Sequence, residues 1–516
     1  MYSKVTTGAI SGIESLIASV EVDVSPGMPG FEMVGLLNHE VKEARERVKV
    51  ALKNTGVDIP PTKITVSISP ADMRKEGSAF DLPVAVGIMV SLGLIPEEYI
   101  EHTLIIGELG LDGEIKAVKG VLPIVKKAKE SGCKRCILPQ KNIQEGAIIE
   151  NIEIIGVSSL AQTLTYLNQS EEQKVKYISP AKRTEMSSLE EIQEFDFSDI
   201  NGQEAVKRAV EIAAAGFHHM LMVGPPGSGK TMVAKRIPTI LPELTLEESL
   251  EVSTIYSVAG MLDEQKALMT QRTFLSPHHT ISEQALAGGG RIPKPGVISL
   301  AHRGVLFLDE LPEFKRNAIE ILRQPLEDKK IHIARTNGSF IYPADFMLVA
   351  AMNPCPCGFF PDRNKCTCSE NEVKRYLRRI SGPILDRIDI TVEAPKMDIV
   401  QLSANTKNES SADMKKRVMQ ARRRQEKRYQ NTPYRFNAEL RTGDIRKYCK
   451  LGQTEQDLLE LAFRSMDLSA RAYHKIIKVA RTIADMDDSE KITEQHISEA
   501  ICYRMTDGKY WSTQPE

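Results

Sequence analysis

The chain has 516 residues, too many for one hydrophobic core, so two or three domains are expected. Hydrophobic residues make up 41% and charged residues 26%, as in ordinary soluble proteins, and the formal net charge of −2 argues against a surface that coats nucleic acid as a whole while leaving room for a local basic strip. No run approaches the ~18 apolar residues of a membrane span, and the first residues lack an apolar signal core, with acids at Glu14 and Glu21. A cytoplasmic protein with no membrane association is expected, and its eight cysteines do not read as a disulfide scaffold.

Residues 1–168 alternate strand-like and helix-like segments and read as an α+β domain without a phosphate loop. Residues 15–25 form a strand by their alternation, 39–54 an amphipathic helix, and 63–69 a half-buried strand. Residues 81–92 read as a buried helix, and 103–114 as a hairpin turning at Asp112 and Gly113. Residues 169–194 are polar, with linker composition. Residues 195–395 alternate short apolar strands with helices, the pattern of a wound α/β core, and 396–516 read as helices forming a lid.

Gly224, Pro225, Pro226, Gly227, Ser228, Gly229, Lys230 and Thr231 follow a short apolar strand and open a helix. That is the GxxxxGK[ST] spacing of a phosphate loop, in which backbone N–H groups and a helix N-terminus surround phosphates. Lys230 is expected on the β and γ phosphates of ATP, and Thr231 on magnesium. Residues 305–308 form a buried strand ending in Asp309 and Glu310, expected to hold the magnesium shell and to polarise the attacking water. The next apolar strand, 346–352, ends at Asn353, placed to orient that water (the sensor-1 role). Together these features indicate an ATP-hydrolysing motor of the AAA+ class. Arg387 ends a helical stretch where an AAA+ ring offers an arginine to a neighbour's ATP, with an ion pair to Asp386 or Asp389 as the plain alternative. Arg471 opens a lid helix, the usual place of a sensor-2 arginine. An arginine supplied in trans makes hydrolysis depend on ring assembly.

Residues 272–280, 286–296 and 298–313 resemble the magnesium-chelatase-like branch of AAA+ proteins. With 353–358 and 380–389, the resemblance narrows to the ComM/YifB family and covers essentially the whole chain. It implies a homo-hexamer that drives branch migration of DNA in homologous recombination and natural transformation. It also implies two insertions: an arm around 288–296, entered through a capping box at Thr280 and Glu283, and a hairpin before sensor 1, around 329–339. Arg291 and Lys294 on the arm, and Lys329, Lys330, His332 and Arg335 at the hairpin tip, are candidates for DNA phosphates, or else lie on solvated loops. The N-terminal region resembles the Lon protease domain, with Ser78 near the nucleophile position and Leu122 where the activating lysine belongs. Proteolysis therefore lacks its base. A chelatase motor subunit and an ATPase that remodels proteins remain as alternatives.

Cys355 and Cys357, with Cys366 and Cys368, bracket a polar loop after Asn353. The four could hold a structural zinc or remain free or redox-active thiols. Cys133 and Cys136 run into an apolar strand and read as packing. Lys415, Lys416, Arg417, Arg422, Arg423, Arg424, Lys427 and Arg428 make one helix strongly basic, either as a solvated lid face or as a DNA-facing strip.

Overall fold

The computed structural model describes residues 1–35, 39–70, 77–184, 195–264, 266–290, 293–335, 338–397, 408–466 and 468–511; for residues 39–42, 335 and 506–508 it describes the backbone alone. Strands β1 (Tyr2–Ser11) and β2 (Glu14–Ser25) form an antiparallel hairpin whose alternate residues are buried. They join β3 (Gly30–Val34), β4 (Lys63–Ser69) and β5 (Thr103–Ile105) in a seven-stranded sheet. The helix Asp81–Ser91 is buried along its whole length and packs on β1 and β2.

The hairpin expected over 103–114 is displaced. The turn at Asp112 and Gly113 joins β6 (Glu108–Leu109) to β7 (Ile115–Lys116), while β5 is a parallel strand of the main sheet. β5 lies between β1 and β8 (Arg135–Pro139), with β9 (Glu153–Val157) at the edge. All three residues of β5 are buried, so it lacks the alternation that marks a half-exposed strand. Cys136 is buried on β8, as packing requires.

The segment from residue 169 is not irregular throughout, since Glu171–Tyr177 is helical. Lys174 is buried there, with its ammonium 4.7 Å from the Tyr99 ring centroid, and it donates to Glu171 at 2.7 Å. Arg135 also donates to Glu171, at 2.7 Å, so polar residues dock this helix on the sheet.

A second sheet holds β10 (Met220–Val223), β11 (Phe274–Leu275), β14 (Val305–Leu308), β17 (Met347–Met352) and β18 (Ile390–Glu393). Its order is β11-β14-β17-β10-β18, all parallel. Two short antiparallel pairs interrupt it in sequence: β12 (Gly288–Gly289) with β13 (Lys294–Pro295), and β15 (Lys330–Arg335) with β16 (Gly338–Pro343). The helices Ser411–Arg428, Thr442–Tyr448, Gln453–Ser465, Ala470–Met486 and Glu494–Trp511 follow. One apolar cluster runs from β10 and the helix Glu204–Gly216 through Met414, Val418, Ile476 and Ile483, so sheet and lid share a core.

Asp485 is fully buried beneath that cluster and accepts from Arg428 at 2.7 Å and Asn437 at 2.9 Å, with Arg481 at 3.1 Å. Asp485→Ala removes the buried counter-charge of Arg428 and Arg481 and should lower unfolding stability by about 3 kcal/mol, measurable by urea titration.

Candidate nucleotide site

Strands β10, β14 and β17 stop at one edge of the sheet, because Val223 pairs with Met352 and Leu308 with Ala350. Every residue of the three is buried, so polar groups begin only where the chain leaves the sheet. That edge is where open parallel sheets place ligands. Since β17 lies between β10 and β14, Asn353 emerges between the phosphate loop and the Asp309–Glu310 pair.

Two glycines shape the loop. A Cβ on Gly224 would stand 2.1 Å from the Ala394 carbonyl oxygen, and Gly229 enters the helix Lys230–Ile240 with a left-handed φ of 83°. Gln203 braces the loop from outside the motif, donating to the Ser228 carbonyl at 3.1 Å and the Pro395 carbonyl at 2.7 Å. No local pattern marks Gln203, and sequence reasoning missed it.

Lys230 Nζ donates to the carbonyls of Gly224 at 2.8 Å and Pro225 at 2.9 Å, and to Asn353 Oδ1 at 3.3 Å. Burial pulls this ammonium below its usual pKa, opposed by the charges of Asp309 and Glu310. Thr231 Oγ1 donates to Asp309 Oδ2 at 2.6 Å, so hydroxyl and carboxylate offer neighbouring oxygens to one magnesium shell. Glu310 adopts a left-handed φ of 51°, an expensive conformation for a residue with a Cβ and of the kind found at working sites. Its N–H donates to Asp309 Oδ1 at 2.9 Å, and His279 Nδ1 lies 3.5 Å from its Oε2, a neighbour the sequence reading did not single out.

Arg387 and Arg471 meet each other's partner instead of the phosphate loop. Both pair with Glu327, Arg471 at 3.4 Å, and Arg387 also donates to the Pro383 carbonyl at 2.7 Å. The alternative partners foreseen for Arg387 are otherwise engaged: Ser469 Oγ donates to Asp386 at 3.3 Å, and Asp389 pairs with Lys475 at 2.6 Å. Two arginines distant in sequence thus share one face.

Residues 196–402 match the family model "Magnesium chelatase, subunit ChlI", 20–142 match "Subunit ChlI of Mg-chelatase", and 408–504 match "Magnesium chelatase, subunit ChlI C-terminal". The YifB protein of Escherichia coli is 43% identical over 507 residues, covering 98% of this chain and 97% of that protein. Competence protein ComM of Haemophilus influenzae is 40% identical over 498 residues, 96% of each chain. The chain belongs to the ComM/YifB family. The magnesium-chelatase 67 kDa subunit of Chlorobaculum parvum is 26% identical over 227 residues, 43% of this chain but 31% of that protein.

The two insertions expected of a ComM/YifB protein take the form of the β12–β13 and β15–β16 pairs, but several candidate residues stand elsewhere than expected. On the arm, Lys294 is exposed, whereas Arg291 lies outside the described residues. The helix after Thr280 is capped by Ser282, whose hydroxyl accepts from Ala285 N–H, so Glu283 is its first residue and cannot close a box with Thr280. Lys329 is at the base of the hairpin, not its tip. It bridges Asp345 at 3.2 Å and Glu439 at 2.6 Å. Lys330 is exposed but also basal, opposite Pro343, and only Arg335 adjoins the turn, paired in register with Gly338.

Much of the charge on the basic helix is engaged within the chain, although Arg423 and Lys427 stay exposed. Arg417 pairs with Glu211 and Glu409, Arg424 with Asp488, Arg428 with Asp485, and Lys415 with Glu243 at 3.1 Å. Arg422 is buried with its guanidinium 4.0 Å from the Phe436 ring centroid. A groove lined by Arg316, Lys374, Arg375, Arg378 and Arg379 also concentrates positive charge; four of these bases fall within residues 374–379, a basic run that sequence reasoning passed over.

The four cysteine sulfurs lie within 4.8 Å of one another. Tetrahedral zinc with ~2.3 Å bonds sets its sulfurs ~3.8 Å apart; Cys366 lies 3.8 Å from Cys355 and 3.6 Å from Cys357, and Cys355 and Cys357 stand closer together, at 3.3 Å. The donor set fits. Burial raises the Cys357 thiol pKa, but the N–H groups of Phe359 and Thr367 and the neighbouring thiols outweigh it and hold it at about 6.

In the N-terminal region Ser78 Oγ donates to Glu108. Leu122 is buried among Ile148, Ala267 and Leu268, where the helix Val121–Glu130 meets the helix Leu246–Ala259, and a leucine there supplies no base. Among the described residues, no helix is long and apolar enough to cross a membrane.

Proposed function

We propose that this chain is a cytoplasmic, ATP- and magnesium-dependent motor that assembles as a homo-hexameric ring on DNA and drives branch migration. The observation that carries the ATP reading is the convergence of Lys230, Thr231, Asp309, Glu310 and Asn353 at one sheet edge. Arg387 is the arginine a neighbouring subunit would turn toward that ATP, and Arg471, held beside it on Glu327, is the sensor-2 arginine. Near-complete coverage of ComM supports DNA as what the ring moves, whereas the chelatase subunit is matched over only 31% of its length. Lys294, Lys330, Arg335 and the Arg316–Arg379 groove are the phosphate contacts of this reading, charge-reading and sequence-blind. A structural zinc on Cys355, Cys357, Cys366 and Cys368 completes it.

The test is ATP turnover with and without branched DNA, beside particle size with ATP. Hydrolysis raised severalfold by DNA, and a hexamer that forms with ATP and is absent in Lys230→Ala, are expected. Turnover indifferent to DNA but raised by a porphyrin or an unfolded protein would favour the chelatase or protein-remodelling alternative.

A further inference from the structure

The sixteen-residue segment between Asn353 and the helix Glu370–Leu377 forms no strand and no helix of its own, yet it lies against the nucleotide site. Four features tie it there. Cys355, two residues after Asn353, is fully buried in the same apolar cluster as Met352. Gly358 runs at φ 87° so close to the phosphate loop that a Cβ would stand 2.3 Å from Pro226 Cδ. The N–H groups of Gly358 and Phe360 donate to Cys355 Sγ at 3.2 Å and 3.4 Å, the kind of outer bond that fixes a thiolate ligand. Cys368 adjoins Ser369, the N-cap of the helix that leads on toward Arg387.

Only half of the span between the cysteine pairs is polar, from Asp362 to Lys365, and burial of apolar surface orders that stretch little, whereas Phe360 in the other half packs on the apolar cluster around Cys355. The four thiolates can tie the polar stretch to the packed one. We infer that zinc on Cys355, Cys357, Cys366 and Cys368 acts as a positioning device for ATP hydrolysis: it fixes the loop that carries Asn353 and seats that loop against Pro226. The inference rests on the zinc reading and extends it from holding the loop's shape to controlling turnover. Removing the metal frees Asn353 to leave the γ-phosphate, while ADP, held by the N–H groups from Gly227 to Thr231, keeps its contacts.

The far side of the loop supplies a reporter. The Phe360 ring lies tilted against that of Tyr510, centroids 6.2 Å apart, and the neighbouring Trp511, which donates to the Leu377 carbonyl at 3.3 Å, is the chain's single tryptophan.

The experiment takes the full chain, measures zinc by elemental analysis, strips it with a chelator and restores it. About one zinc per chain is expected, and stripping should lower kcat at least ~10-fold, shift Trp511 emission and leave ADP affinity within about twofold, with zinc reversing all changes. Cys366→Ser should reproduce the stripped state, and Cys366→His, which still offers a ligand, should retain metal and turnover. A chain that carries no zinc, or a Cys355–Cys357 disulfide in its place, overturns the zinc reading and this inference with it. Zinc that is present but whose removal leaves kcat unchanged overturns only the control of turnover. Loss of ADP binding and of the helical circular dichroism signal together with turnover would make the metal a fold staple and would also overturn it.

Discussion

Glu310→Gln should lower ATP turnover by about 10³-fold while leaving ATP binding intact. The amide keeps the size of the carboxylate and the left-handed turn at φ 51°, but it cannot take a proton from water. Lys230 and Thr231, which hold the phosphates and magnesium in this reading, keep their contacts with Asn353 and Asp309. The variant is therefore expected to stay loaded with ATP, and any ATP-dependent assembly should persist. Phosphate release measured beside binding of a fluorescent ATP separates the two effects. Turnover within tenfold of wild type would move the base elsewhere, with His279, 3.5 Å from Glu310, the next residue to test.

Arg387→Ala should cost a similar factor, about 10³-fold, if the arginine stabilises the transferring phosphoryl group from the next subunit. The geometry makes a sharper test available. Arg387 pairs with Glu327, together with Arg471, and its contacts are with the loop and helices around Pro383, so its loss leaves its own phosphate loop intact. Lys230→Ala subunits have no working loop but retain Arg387. Mixing two inactive proteins should then restore part of the activity, because some interfaces combine an intact loop with an intact arginine. A mixture as inactive as its components would place Arg387 in a purely structural ion pair.

The parts of the site legible in the sequence are those whose spacing the chemistry dictates. Gly224 to Thr231 must wrap a phosphate, so their order is fixed locally, and the buried strands ending at Asp309 and Asn353 show as unbroken apolar runs. The antiparallel strands β2 and β4 show through alternation, because one face of each is buried. What stayed hidden depends on partners far away in the chain. Lys329 looks like a free base at a hairpin tip until Asp345 and Glu439 close on it. Lys415, Arg417, Arg424 and Arg428 look like free bases until Glu243, Glu211, Asp488 and Asp485 arrive from other elements. The meeting of Arg387 and Arg471 on Glu327 joins positions well apart in sequence, as does that of His279 and Glu310. Strand β5 and the helix Glu171–Tyr177 were misread because a three-residue buried strand has no alternation and a short polar helix no apolar stripe.

The central claim is that the energy of the Lys230–Glu310 site moves DNA strands, and the direct measurement is strand separation of a labelled, mobile four-way junction by the full chain. Products that accumulate with ATP and magnesium, and that vanish with Lys230→Ala, Glu310→Gln or a non-hydrolysable analogue, are the predicted result. A protein that hydrolyses ATP at full rate yet leaves the junction intact at every concentration would contradict it.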